Sequence, residues 1–292
     1  MTILVTGANG NIGIDIIKKL SLKEKIIAIY RTKNDKIKKI KNVTWIKHNL
    51  EKKLKIRLSS KLKCIIHSAI NQKNLDKKKY IFSNISILNN LIEFGKKNKA
   101  GIIINFSSID VYGDIERKFV CEKQKPRNPN LYGFIKLLLE QQFYDKGINF
   151  INIRLPGVLS KTIENKKKMP WLKSTIIQLK NNKNVVIYNS GTNFNNVIST
   201  DEIVNFITFL LQKNFFIKDS FNFAASKPEK LIILLNLIKK KLNSKSLIIE
   251  KKKSQNKSFY ISMKKFREKF KYKVPSVKKV LEKYLVEFKK ND

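Results

Sequence analysis

Cysteine and histidine are nearly missing from this chain, which has two of each: Cys64, Cys121, His48 and His67. None falls in a CxxC or HExxH spacing, so neither a disulfide framework nor a metal site is expected. Long apolar runs are missing as well, and stretches such as Gly101 to Phe106 are far shorter than a membrane span. Met1 leads straight into the strand-like Ile3-Leu4-Val5 and not into a signal peptide, so a cytoplasmic protein without membrane attachment is expected. Arginine is scarce too, at six of 62 basic residues. With only 22 acids the formal net charge reaches +40, which in general attracts nucleic acid or anionic membrane. Bidentate phosphate and base contacts, however, favour arginine, and here the lysines run along the whole chain with no compact basic motif interleaved with aromatics. They accompany abundant Ile and Asn, whose codons are also A/T-rich. Drift in base composition accounts for the charge, and no specific nucleic-acid partner is expected.

What is present is a core. At 292 residues and 42% hydrophobic content the chain can form one large domain, or a large one with a smaller partner. Ile3-Leu4-Val5-Thr6 is a short apolar run ending in glycines, followed by the helical spacing Ile12, Ile16, Ile17, Leu20. Ile26 to Tyr30, Val43 to Ile46 and Cys64 to His67 read as strands. A helix from about Tyr80 to Phe94 precedes the strand Ile102 to Phe106, and another from Tyr132 to Tyr144 precedes Phe150 to Ile153. This alternation predicts a doubly wound parallel α/β sheet. Beyond Arg154 the pattern loosens into an exposed loop, Lys161 to Lys168, then Val185 to Tyr188, a helix from about Asp201 to Leu211 and three more lysine-flanked helical stretches up to Phe288. The expected organisation is a dinucleotide-binding domain over 1–155, with parts of 183–224 returning to it, and a smaller α/β substrate lobe over 156–292.

The chemistry-bearing residues fall in order along this pattern. Gly7-Ala8-Asn9-Gly10-Asn11-Ile12-Gly13 is a GxxGxxG loop at the first strand-to-helix turn. Gly7 permits the tight turn, Gly10 lets backbone approach a pyrophosphate, Gly13 allows close packing, and the helix N-terminus offers N–H groups to the anion. At the end of the second strand, where an acid would hold a ribose 2′-hydroxyl, the chain has Arg31 followed by Thr32 and Lys33. That electropositive end favours NADP, with NAD as the alternative. Ser107-Ser108 closes the strand that begins at Ile102, and Tyr132 and Lys136 open the next helix at i and i+4, one above the other on one face. An ammonium beside a phenol of ordinary pKa ~10 favours the phenolate, which predicts a tyrosine that exchanges a proton with a substrate hydroxyl or carbonyl near neutrality.

With these motifs the chain is similar to the extended short-chain dehydrogenase/reductases, the NAD-dependent epimerase/dehydratase family of sugar-nucleotide epimerases, dehydratases and ketoreductases. The resemblance takes in His67-Ser68-Ala69, Asn84, Glu122, Pro126, Pro129, Glu140, the run Arg154 to Val158 and the run Val197 to Glu202, which opens a late helix in this reading. It implies a Rossmann fold with Tyr132 as general acid/base, Lys136 holding the nicotinamide ribose, and Ser108, or Ser107 one residue earlier, orienting the reacting oxygen. It also implies cofactor contacts at Gly7, Asn9, Gly10, Asn11, Ile12, Gly13, Arg31, Asn49, Leu50, Ser68, Ala69, Lys136 and Pro156, and a homodimer built through the Tyr132 helix. Two departures bear on the reaction. Family dehydratases carry an Asp-Glu pair where this chain has Ile109 and Asp110, which disfavours dehydration, and many nucleotide-sugar epimerases have Asn and Arg where it has Gly157 and Asn195. The expected activity is NADP-dependent 4-ketoreduction of a nucleotide-linked sugar. Nucleotide-sugar epimerisation and non-catalytic dinucleotide or RNA binding are the alternatives.

Overall fold

The structure is a computed structural model that describes residues 1–35, 37–71, 76–160, 171–213, 215–251 and 259–290. Its first half runs β1 (Thr2–Thr6), α1 (Asn11–Leu20), β2 (Lys25–Tyr30), β3 (Val43–Lys47), β4 (Leu62–His67), α2 (Lys77–Lys97) and β5 (Ile102–Ser108). A 3-10 turn (Ile109–Tyr112) leads to β6 (Phe119–Val120) and α3 (Leu131–Gln141), and a second such turn (Tyr144–Lys146) leads to β7 (Phe150–Leu155). The remainder is β8 (Gly157–Leu159), α4 (Trp171–Lys180), β9 (Val185–Tyr188), β10 (Asn193–Phe194), β11 (Val197–Ser199), α5 (Thr200–Lys213) and β12 (Lys218–Asn222). It ends with β13 (Glu229–Lys230), α6 (Leu231–Leu242), β14 (Ile248–Lys251), β15 (Tyr260–Ile261), α7 (Lys264–Phe270) and α8 (Val277–Lys290). Among the described residues no helix is long and apolar enough to cross a membrane.

Seven strands form one sheet in the order β12-β7-β5-β4-β1-β2-β3. β1 pairs in parallel with both β2 and β4, so the direction of winding reverses between β1 and β4. This is the expected doubly wound sheet, and it puts the loops after β1, β2, β4 and β5 along one edge. Continuous apolar strands such as Ile3-Leu4-Val5, all buried, suit a sheet covered by helices. One face carries α2 and α3, whose Ile87, Leu88, Leu91, Ile135 and Leu139 pack with Leu4, Ile65 and Ile103.

The helix boundaries differ from the sequence reading for local reasons. α2 extends beyond Tyr80 and Phe94 at both ends because the Asp76 carboxylate accepts from the Lys79 N–H (2.8 Å) and the flanking lysines are good helix formers in water. α3 starts where Asn130 Oδ1 accepts from Gly133 N (2.8 Å) and stops short of Tyr144, as Phe143 N turns back to the Glu140 carbonyl. Val197 to Ser199, expected to open a helix, is instead strand β11 paired in parallel with β8, and the helix begins at Thr200. β-Branched Val197 and Ile198 favour the strand, whereas the acids of the next turn suit a helix start. The loop expected at Lys161 to Lys168 lies outside the described residues, and α4 was not foreseen.

The chain divides into two units, Met1–Gly113 with Asn128–Arg154 and Ile203–Phe221, and Asp114–Arg127 with Leu155–Glu202 and Asn222–Asp292. The segment 114–127 therefore groups with the second unit. There, Leu172, Ile176 and Leu179 of α4 pack with Leu234, Leu235 and Ile238 of α6 and Val280 and Leu281 of α8.

Leu88 is fully buried in the α2 contact of the first unit, whereas Leu22 is 77% exposed. Leu88→Ala is expected to cost about 2–5 kcal/mol, read as a lowered urea midpoint, with Leu22→Ala unchanged. Equal midpoints for both would contradict this packing.

Candidate active site

The glycine loop joins β1 to α1 with a geometry that only glycine accommodates at two points. Gly7 has φ +63°, and a Cβ there would lie 2.8–2.9 Å from the backbone of Ser68 and Ala69. The glycine loop and the turn after β4 thus touch, and Ser68 Oγ donates to the Thr6 carbonyl (2.7 Å). A Cβ on Gly13 would run into the Gly7 carbonyl, so α1 begins pressed against the loop. Gly10 is exposed and caps α1 without a side chain, and no acid occupies the first turn, where Asn11 and Ile12 are half-buried. The start of a helix in this setting is the kind of place that receives the pyrophosphate of a dinucleotide.

Asn9 ties this loop to the end of β2. Its Nδ2 donates to the Thr32 carbonyl (2.7 Å), and Asn34 Nδ2 donates to the Asn9 carbonyl (3.1 Å). Arg31 lies exposed in that segment beside exposed Thr32 and Lys33. After β3, exposed Asn49 is followed by buried Leu50, whose carbonyl accepts from Asn90 (2.9 Å). Close to this turn the structure has a cavity of about 330 Å³ lined by Glu51, Asn71, Lys79, Phe82, Ser83 and Ser86, which the sequence reading did not find.

Ser108, Tyr132 and Lys136 come from the end of β5 and the first turns of α3. Gly133 is what lets the two meet: a Cβ there would overlap the Asp110 carbonyl, so the 3-10 turn after Ser108 packs directly on the start of the helix. Ser108 Oγ accepts from Asp110 N (3.2 Å). Ser107, the alternative, points the other way by strand alternation, and its buried Oγ has no hydrogen-bond partner among the described residues. Lys136 is 4% exposed, donates from Nζ to the Phe106 carbonyl (2.7 Å) and lies 5.8 Å from the centre of the Tyr132 ring.

Burial decides the charges here. It lowers the Lys136 pKa to about 8 against the opposing pull of Glu140. His67, buried at the end of β4 with Nδ1 2.7 Å from Thr6 Oγ1, is pushed down to about 3 by burial and then by Lys136, so it is neutral. The Tyr132 phenol moves up, not down, because burial and then the charge of Asp110 oppose its ionisation. The expected lysine-lowered phenol is not what burial gives here: desolvation and then Asp110 hold the phenol up, while the Lys136 ammonium, with one of its three donors on the Phe106 carbonyl, keeps two for other partners.

Behind these groups lies a buried network that the sequence reading saw only as pattern. Arg154 donates from Nη2 to Glu140 Oε2 (2.7 Å), from Nε to both Glu140 oxygens (3.0 and 3.2 Å) and from Nη1 to the Tyr112 hydroxyl (3.0 Å). Ser220 Oγ adds a bond to Glu140 Oε2 (3.2 Å). An arginine within an apolar strand and a glutamate on the buried helix face were the available signals.

In the second unit, Pro156 follows β7 directly and is buried. Asn195 is committed to structure: its Nδ2 donates to the Ala225 and Ile261 carbonyls (2.8 and 2.9 Å), and its Oδ1 accepts from Ile261 N (2.7 Å).

The model of the NAD dependent epimerase/dehydratase family matches residues 3–224. No curated protein sequence matches the chain. A UDP-N-acetylglucosamine 4-epimerase from Methanobrevibacter ruminantium in complex with UDP-N-acetylmuramic acid has a similar structure, with 19% identity, TM-score 0.79 and 100% and 99% of the two chains covered. A UDP-glucose 4-epimerase from Thermotoga maritima with UDP-glucose gives 16%, 0.79 and the same coverage. A dTDP-glucose 4,6-dehydratase from Bacillus anthracis in complex with NAD gives 15%, 0.77, 100% and 97%. At these identities the likeness is one of fold.

Gly7→Ala places a methyl against the Ser68–Ala69 backbone at a positive φ. Binding of reduced nicotinamide dinucleotide, followed by its fluorescence, is expected to weaken at least about tenfold, a loss of about 1.4 kcal/mol. Unchanged affinity would rule the loop out as the cofactor cradle.

Proposed function

The chain belongs to the NAD-dependent epimerase/dehydratase family, and from that premise we propose that it is an NADP-dependent 4-ketoreductase of a nucleotide-linked sugar. The observation that carries this reading is the buried Lys136 one helical turn from Tyr132, on a helix whose Gly133 packs directly against the turn that Ser108 begins. Reduction of a ketone needs a proton at the oxygen, and a phenol that keeps its proton at neutral pH is the donor form. Bound reduced nicotinamide would supply the hydride. The phenol would give its proton to the carbonyl oxygen, the Ser108 hydroxyl would hold that oxygen, and the Lys136 ammonium would bind the cofactor ribose and stabilise the phenolate left behind.

Arg31 supports reduced NADP as the partner, because the residues directly after β2 offer two cations, Arg31 and Lys33, to a ribose 2′-position, and the first acid of the segment, Asp35, comes only after them. The fit to a dinucleotide rests on the glycine cradle, which a single Cβ would fill. With Asn195 occupied in its own unit, the substrate diphosphate in this reading is held by other groups.

Epimerisation is the second reading. What favours it is the likeness of fold to 4-epimerases solved with UDP-sugars and to a dehydratase solved with NAD. In that case the cofactor is recycled and no net nicotinamide is consumed.

Two variants test the roles. Tyr132→Phe is expected to lower turnover at least about a hundredfold while leaving nucleotide affinity nearly intact; wild-type turnover would remove Tyr132 from the chemistry. Arg31→Asp is expected to shift the ratio of affinities from NADPH towards NADH, and an unmoved ratio would contradict the 2′-phosphate assignment.

A further inference from the structure

We propose that Glu140 is a positioning residue that holds Lys136 in its ammonium form, with Arg154 aiming the carboxylate. The inference rests on the roles given above to Tyr132 and Lys136. Tyr132, Lys136 and Glu140 recur at four-residue intervals on α3, so they stack along one face. Glu140 is fully buried, Lys136 is 4% exposed and Arg154 is 8% exposed, so none of these charges is screened by bulk water.

The arrangement is more than a stabilising ion pair. A buried carboxylate and guanidinium gain little over an apolar pair of the same volume, yet here Arg154 makes three bonds to Glu140 and Ser220 a fourth. Those bonds fix the carboxylate one helical turn from Lys136, on the same buried face of α3, which is the placement from which its charge would act on the ammonium. The remaining arm of Arg154 reaches Tyr112 of the turn that Ser108 begins, with the guanidinium 5.0 Å from the centre of the ring. One guanidinium therefore spans the helix that carries Tyr132 and the turn that carries Ser108.

The groups around Lys136 come from its own helix, from three strands and from the 3-10 turn. His67 from β4 is neutral, and the Phe106 carbonyl from β5 accepts a hydrogen bond from Lys136 Nζ. Tyr132 from its own helix is un-ionised, and Asp110 from the 3-10 turn bears on Tyr132. Glu140 supplies the negative charge that opposes burial, backed by Arg154 from β7. Without that carboxylate, desolvation and the then unneutralised Arg154 both favour a neutral amine.

The test needs neither cofactor nor substrate. Lysine side chains of the full chain carry an isotope label, the Lys136 signal is assigned by its loss in Lys136→Met, and its midpoint is followed with pH in wild type and in Glu140→Gln. Wild type is expected to titrate near 8, and Glu140→Gln at least about one pH unit lower, a tenfold change in proton affinity. An unmoved midpoint in folded Glu140→Gln overturns the proposal. Should that variant not fold, Glu140→Asp decides: withdrawing the carboxylate by one methylene lowers the midpoint by a smaller step, and no step overturns the proposal. A shifted midpoint in a protein that reduces no 4-keto sugar leaves this inference standing and removes the ketoreductase reading instead.

Discussion

A lysine ammonium withdrawn from water must be satisfied by the protein, and the buried Lys136 shapes the first unit around that demand. Its bond to the Phe106 carbonyl fastens α3 to β5. Gly133, with no side chain to separate them, brings the head of the same helix onto the Asp110 carbonyl. With two points of α3 fixed, Tyr132 and Ser108 have little freedom to drift apart. The neighbouring strand answers with neutral groups: His67 is pushed to the uncharged side, and burial keeps the Cys64 thiol protonated. Glu140 is the anionic counterpart, and Arg154 makes its burial tolerable.

The same economy explains how a chain of such extreme charge folds. Its excess lysine stays in solvent, in contacts such as Lys53–Glu93 (3.6 Å), whose side chains are 77% and 62% exposed, and pairs of this kind contribute at most about 1 kcal/mol. Lys173, which donates to the Ser160 carbonyl (2.9 Å), is the other deeply buried lysine among the described residues. Apolar strands and helix faces carry the fold, and composition says little about partners. The buried acid and arginine behind Lys136 are conspicuous because so few charges enter the core.

Elements with strong periodicity were legible in the sequence: β1 and its glycine loop, the apolar strands β2, β4, β5 and β7, and the faces of α2 and α3. Less legible were segments whose state depends on distant partners. Two-residue strands such as β6 and β10 exist only by pairing with β15 and β13, and Val197 to Ser199 became a strand because β8 lies alongside it. The spacing of Leu172, Ile176 and Leu179 is the signal for α4, but it spans little more than two turns and directly follows a lysine-rich run. At the site, residue types and order were readable, but charge states were not. The sequence places the Lys136 charge beside Tyr132, whereas burial and Asp110, which only the fold reveals, push the phenol in the opposite direction.

The most direct measurement of the central claim follows reduced-nicotinamide absorbance when the purified chain is mixed with NADPH and a panel of nucleotide-linked 4-keto sugars. The account predicts loss of NADPH in one-to-one proportion to a reduced sugar product with at least one member of the panel. Interconversion of epimeric nucleotide sugars with no net change in nicotinamide would contradict it and establish the epimerase instead.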